Sequence, residues 1–383
     1  MSAPREVIDL CDSDDEPPTL PRAPTTVAGS QTRRIVVDLT EEPVVSTALR
    51  PDETRASLNA AREARIAQHA QAGTLVAAPK LYRAPPPQMT IVDVRTGPSG
   101  GPGGSTEVLI VVGLRIGLSG YSYDCFKIVL FPPGLSKKRW LEHTIEEFNW
   151  LELNWSFYGG LRCWNNTAVW KGWRRRIPRG AELTVKAPQE LTHGYTGGQY
   201  RPNSALMADR RDEWIPRILR CVRKLGSRMG VLLLQFSSSF VWSEKNRANL
   251  RYTLRELAGN GFRIAVELRD QSWYRDSVYE LLRRYNVALV IAHGSTGSKK
   301  DANGHVEQAI EHDEVTADHI YVRLHGTDKT HRFRGAYSPR LVEEWAQRIR
   351  DWRARGLDVA LATNNTDYGE AVRTARQIRD RLR

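Results

Sequence analysis

From Val108 onward the hydrophobic positions alternate between two rhythms. Short runs rich in aliphatic and β-branched residues read as strands over Arg115–Ser119, Trp150–Asn154, Glu182–Lys186, Val231–Gln235, Arg263–Arg269, Ala288–Ala292, His319–His325 and Asp358–Thr363. Longer polar segments with an apolar stripe read as helices over Lys137–Phe148, Glu244–Ala258, Ser277–Tyr285, Pro339–Arg355 and Glu370–Leu382. The unbroken apolar run Val231-Leu232-Leu233-Leu234 suits a parallel strand covered on both faces. Eight such strands joined by helical crossovers predict an α/β fold, the (β/α)8 TIM barrel. A doubly wound sheet is the competing arrangement, although no glycine-rich phosphate fingerprint follows the first strand.

The chain ahead of this region has a different character. Residues 1–50 are rich in Pro, Thr, Ser and acids with only short apolar clusters, and are expected to form a disordered N-terminal tail. Residues 51–106 form an extension: Ala, Arg and Glu over Asp52–Ala70 favour a helix, and Gly97–Gly104 is a Gly/Pro-rich linker. The barrel is assigned to residues 107–383.

Charge sharpens this division. The chain carries +12 overall, but residues 1–50 hold five basic against nine acidic side chains, leaving +16 on the rest. A basic body suits an anionic partner, nucleic acid or a phosphorylated ligand. No apolar run is long enough for a membrane span, and Met1–Leu10 does not read as a secretory signal. Cys11, Cys125, Cys163 and Cys221 form no CxxC pair, which favours a reducing compartment.

Two clusters in the tail share one grammar. Val7-Ile8-Asp9-Leu10 precedes Asp12, Ser13, Asp14, Asp15 and Glu16, and Val36-Val37-Asp38-Leu39 precedes Thr40, Glu41 and Glu42. Both resemble the SUMO-interacting motif, in which an extended apolar quartet adds to a sheet edge and flanking acids meet basic residues. That resemblance implies SUMO or poly-SUMO as partner, and a nuclear protein that is also compatible with the cytoplasm.

The barrel pattern supplies candidate chemistry. Side chains alternate along a strand, so Glu152 and Asn154 share a face, as do Glu267 and Arg269, and Arg323 and His325. With Lys186 and Gln235 they lie at strand C-terminal ends, the rim where TIM barrels build their sites. Lys186, Arg269 and Arg323 outnumber Glu152 and Glu267, and His193 and His325 add protons, so the rim reads as an anion pocket. As catalytic groups, Glu267 is the general acid/base, His325 the second choice, and Lys186 a stabiliser of developing negative charge; Asn154, Gln235, Asn364 and Asn365 orient the ligand. The bland alternative is an internal ion-pair network. No metal-binding spacing is present, and no cofactor is implied. The run Lys171–Arg179 mixes Trp and Arg; an amphipathic helix with Trp inward is favoured over a nucleic-acid contact.

Ordered blocks then carry a family resemblance. They are Ile116-Gly117-Leu118-Ser119-Gly120-Tyr121-Ser122-Tyr123, Phe131-Pro132-Pro133-Gly134-Leu135, Leu151-Glu152-Leu153-Asn154, Val185-Lys186-Ala187-Pro188, Val266-Glu267-Leu268-Arg269, Tyr321-Val322-Arg323-Leu324-His325-Gly326 and Asn364-Asn365. Together they resemble the YecE-like barrels, the domain of unknown function 72, from about Ile116 to Leu382. The resemblance implies the barrel fold more firmly than an activity. Leu118, Tyr121, Ser237-Ser238, Ala371-Val372 and Gly159–Trp164 depart from the family pattern. Three functions stay open: a SUMO-recruited hydrolase of phosphate-bearing substrates, including nucleic acid in genome maintenance; a non-catalytic SUMO and nucleic-acid reader; and a metabolic hydrolase or isomerase.

Overall fold

The computed structural model describes residues 113–196, 199–200 and 205–383. Both tail clusters, the helix over Asp52–Ala70 and the Gly/Pro linker lie outside the described residues. Within them the strands are β1 (Leu114–Ser119), β2 (Trp150–Leu153), β3 (Glu182–Lys186), β4 (Met229–Gln235), β5 (Arg263–Glu267), β6 (Val287–Leu289 continuing as Ile291–His293), β7 (His319–Leu324) and β8 (Asp358–Thr363). All neighbours pair in parallel, and β8 pairs with β1.

Closure runs through β6. Its first half pairs with β5 and its second half with β7, so the sheet returns upon itself. Val290, between the halves, still donates its N–H to Val266 O at 2.9 Å. The fold is the expected parallel barrel of the TIM type.

Alternation of side chains gives the barrel two cores. Outward residues such as Leu118, Leu151, Val185, Leu232, Val266, Val322 and Leu361 are buried under the helices. Inward residues include Trp150, Leu233, Ala265, Val290, Tyr321 and Ala360. Both faces are dry, which is why the strands read as apolar runs. Trp150 fills so much of the interior that a Cβ on Gly117 would stand 2.2 Å from Trp150 O and 2.9 Å from its ring. At the lower end, Arg115 and Arg263 pair with Glu182 and Asp358 and plug the floor with charge.

Helices α1 (Trp140–Phe148), α2 (Thr167–Arg176), α3 (Ala208–Val222), α4 (Glu244–Leu257), α5 (Asp276–Arg284), α6 (Pro339–Ala354) and α7 (Glu370–Arg381) cover the outside. Asn166 caps α2, Ser243 caps α4 and Ser338 caps α6, each accepting a backbone N–H. One crossover breaks the pattern. Between β6 and β7 the chain forms a hairpin, Ser295–Lys300 with Val306–Gln308, and no helix follows it among the described residues. No helix of the described residues is long and apolar enough to cross a membrane.

Candidate active site at the barrel mouth

At the upper end the inward side chains become charged. Arg323, on β7, is buried at the centre. Its Nε and Nη2 donate to Glu152 Oε2 and Oε1 at 3.0 and 2.7 Å, a bidentate grip across the barrel. Nη1 donates to Glu267 Oε2 at 2.5 Å and to Gln235 Oε1 at 3.3 Å, and Nη2 also reaches Ser119 Oγ at 3.4 Å. Ser119 Oγ and Tyr321 OH complete Glu152 with donations at 2.6 and 2.7 Å. Arg269 lies just beyond β5 and returns Nε and Nη2 to Glu267 Oε1 at 2.8 and 2.7 Å.

This wiring fixes the protonation of the carboxylates. Burial pushes the Glu267 carboxyl up, but the Arg323 and Arg269 guanidinium groups override it and hold it far below the usual range. Glu152 is lowered by the same contest between burial and Arg323. A carboxyl held so low is ionised near neutrality, so of the two roles expected for Glu267, general acid and general base, it is in the charge state of the base. Arg323 has every donor engaged inside the barrel and holds the carboxylates instead of presenting itself to a ligand.

Lys186 is different. It ends β3, its residue surface is only 5% exposed, and its Nζ sits 4.2 Å from the centre of the Phe157 ring. Among the described residues Nζ has no hydrogen-bond or ion-pair partner. Burial, helped by Arg323, lowers its proton affinity to about 7, despite the opposing pull of Glu152 and Glu267. The expected excess of cations at the rim is therefore corrected: Arg323 and Arg269 are balanced by Glu152 and Glu267, and only the half-protonated Lys186 remains.

The imidazoles are neutral. Burial first, then Arg323, holds His325 well below the ordinary histidine value, and burial followed by Arg269 takes His193 down to about 3. Asn364 Nδ2 lies 3.0 Å from His325 Nδ1. In that amide orientation Nδ1 accepts and the ring proton sits on Nε2, a buried atom without a partner among the described residues. His193 stands edge-on to Phe157, with ring centroids 5.0 Å apart, and is held at Nδ1 by Thr192 Oγ1 at 3.0 Å.

The remaining expected residues divide. Asn154 joins the rim, donating to Tyr123 OH at 3.1 Å and Ser119 Oγ at 3.2 Å. Asn365 turns elsewhere: it donates to Gly335 O and Thr374 Oγ1, both at 3.1 Å, and braces the last loop against α7. Ser119, Tyr321 and Phe157 belong to the site but were not singled out by sequence. The period-two alternation that picked Arg323 also points to Tyr321, and the one on β1 points to Ser119. Among the described residues no three of His, Cys, Asp and Glu gather as a metal cluster. The basic run Lys171–Arg179 overlaps α2, with Trp170 and Trp173 buried as expected. Its arginines close that helix just before β3 begins, at the barrel's opposite end from the mouth.

A closed parallel barrel with charged networks at both ends, and Lys186 at the strand C-terminal ends, has the architecture of the TIM-type fold. The profile of a protein of unknown function, DUF72, matches residues 115–383. The chain belongs to the DUF72 family. It is similar in structure to a DUF72 family protein from Thermotoga maritima MSB8, at 22% identity and TM-score 0.55, covering 70% of this chain and 99% of that one. A DUF72 family protein from Enterococcus faecalis V583 aligns at 17% identity and TM-score 0.57, covering 70% and 95%. These likenesses establish the fold. A search of curated proteins found no match to the chain.

Proposed function

We propose that the barrel mouth takes a phosphate-bearing substrate, with nucleic acid the foremost candidate, and that Lys186 carries the proton transfer in its conversion. The two apolar clusters of the N-terminal segment would recruit the protein to SUMO, which places its work in the nucleus. One observation carries the catalytic part: an unpartnered, buried amine at the rim whose proton affinity lies near 7. General acid–base groups work best when poised close to ambient pH. Glu267 and Arg323 hold the floor of the site, and Arg269 keeps its Nη1 without a partner among the described residues, available to an anionic oxygen. The net charge of +16 over residues 51–383 would draw a polyanion toward it.

The test is binding of a fluorescent oligonucleotide to the full chain across a salt series. Affinity should fall steeply as salt rises, the signature of counterion release. Arg269→Ala should weaken the complex about tenfold and reduce the salt slope by about one. Affinity that is insensitive to salt and to Arg269 would sink the reading.

A further inference from the structure

The mouth holds two buried groups that the ion network leaves unused, Lys186 Nζ and His325 Nε2. Both carboxylates near Lys186 are committed elsewhere: Glu152 to Arg323, Ser119 and Tyr321, and Glu267 to Arg323 and Arg269. The amine rests on the Phe157 ring rather than in an ion pair. A lysine kept merely for structure in a barrel would ordinarily be paired with a carboxylate, because burying an unpaired ammonium is costly. Two carboxylates stand near enough to raise its proton affinity, yet neither forms an ion pair with it. The arrangement withholds them and leaves the nitrogen without a bonding partner among the described residues.

We propose that Lys186 is a covalent nucleophile whose amine condenses with the carbonyl carbon of a phosphate-bearing aldehyde or ketone seated at the barrel mouth. The proposal rests on the phosphate-binding mouth described above and names the chemical class of its substrate. Neutral Nζ adds to the carbonyl carbon while the carbonyl π pair moves to oxygen. A proton passes from nitrogen to that oxygen, giving a carbinolamine. The C–O bond then breaks, water leaves with a second proton from nitrogen, and the C=N bond of an imine forms. His325 is placed on the same rim, one residue beyond the end of β7, with a ring N–H to offer a carbonyl oxygen. A neutral imidazole can polarise a carbonyl without adding charge to the site. Arg269 Nη1 is the donor for the phosphate.

At pH 7 about half of Lys186 is free amine, whereas an ordinary surface lysine is free in roughly one molecule in three thousand. That contrast makes the proposal measurable on the intact full-length chain. Glyceraldehyde 3-phosphate is the probe, glyceraldehyde its control, and sodium borohydride the reductant that converts any imine to a stable secondary amine. Peptide mass mapping then reads each lysine separately. The expected result is trapping at Lys186 at least tenfold above any other lysine, and at least tenfold above that seen with glyceraldehyde. Lys186→Met should remove that adduct, and mapping within the unaltered chain decides the matter even where this variant folds poorly.

Adducts spread evenly over surface lysines would overturn the proposal. Equal trapping with glyceraldehyde would overturn its phosphate requirement. No adduct at Lys186 in a protein that still binds the oligonucleotide in a salt-dependent way removes the imine step and leaves the anion-binding mouth standing. Loss of both results removes the two together.

Discussion

At the scale of single residues, the mouth shows how one arginine sets the state of everything around it. Arg323 grips Glu152 with two nitrogens and Glu267 with a third, so both carboxylates stay ionised although fully buried. The same guanidinium adds to the cost of a second cation nearby, and Lys186 absorbs it by giving up its proton easily. This has a consequence for stability with a definite sign. Between about 7 and the ordinary value of 10.5, the unfolded chain keeps a proton on Lys186 that the folded chain has released. Stability is therefore penalised below about pH 7 and recovers as pH rises through that interval. Lys186→Met removes the penalty and should stabilise the protein most at pH 6. Its advantage should shrink by on the order of 4 kcal/mol by pH 10. Urea unfolding of both proteins at the two pH values measures this, and pH profiles that run parallel would contradict the shifted lysine. The carboxylates act in the opposite sense: their lowered values stabilise the fold above the ordinary glutamate range, and that contribution is lost as acid protonates them.

At the scale of elements, the barrel depends on strict phase, and β1 shows it most sharply. Gly117 faces inward opposite Trp150, and its missing Cβ is what lets β1 approach β2. Gly117→Ala should destabilise by about 1–3 kcal/mol through overpacking. The nearer obstacle is the Trp150 carbonyl oxygen, not its ring, so Trp150→Leu added to Gly117→Ala should fail to rescue stability. Chemical denaturation of the single and double variants tests this; recovery in the double variant would show that the ring alone sets the spacing. The strands were legible in the sequence for a different reason: apolar on both faces, they read as short runs, too brief for helices and set between longer polar segments. β3 and β8 have the expected limits, and the other strand limits differ by about one or two residues. Arg269 was placed inside a strand that ends at Glu267, yet its side chain folds back to Glu267 all the same. The β6–β7 crossover hid its lack of a helix, since a hairpin within a long polar segment gives no strong period. Charge pairing was legible only as the alternative reading, an internal ion-pair network. A count of basic residues at strand ends favoured an open cationic pocket, whereas the partners of Arg323 come from β1, β2, β4 and β5 and only closure of the barrel brings them together.

For the whole molecule, the proposed function joins two recognition chemistries of different kinds. A barrel of the DUF72 family spans residues 115–383, and the segment before it carries Val7-Ile8-Asp9-Leu10 and Val36-Val37-Asp38-Leu39. The clusters are separated by residues 11–35. Two motifs that close in sequence would, on this proposal, let the second act at a raised effective concentration once the first is bound. One quartet pairing with a sheet edge buries little surface and should bind weakly by itself. Two linked SUMO copies should therefore bind the full chain about a hundredfold more tightly than one copy, with no new contact required. Replacing Val7 and Ile8 by Ala, or Val36 and Val37 by Ala, should erase that gain and return the affinity to the single-copy level. Calorimetry against one and two linked copies measures the difference. Equal affinity for both would mean that only one quartet engages, and an unchanged complex after both pairs of substitutions would place any SUMO contact elsewhere. Oligonucleotide affinity provides the internal control. On the proposed function it would draw on Arg269 and the basic body, so it should survive all four alanine substitutions; its loss would show that these apolar residues serve the barrel's ligand instead of a protein partner.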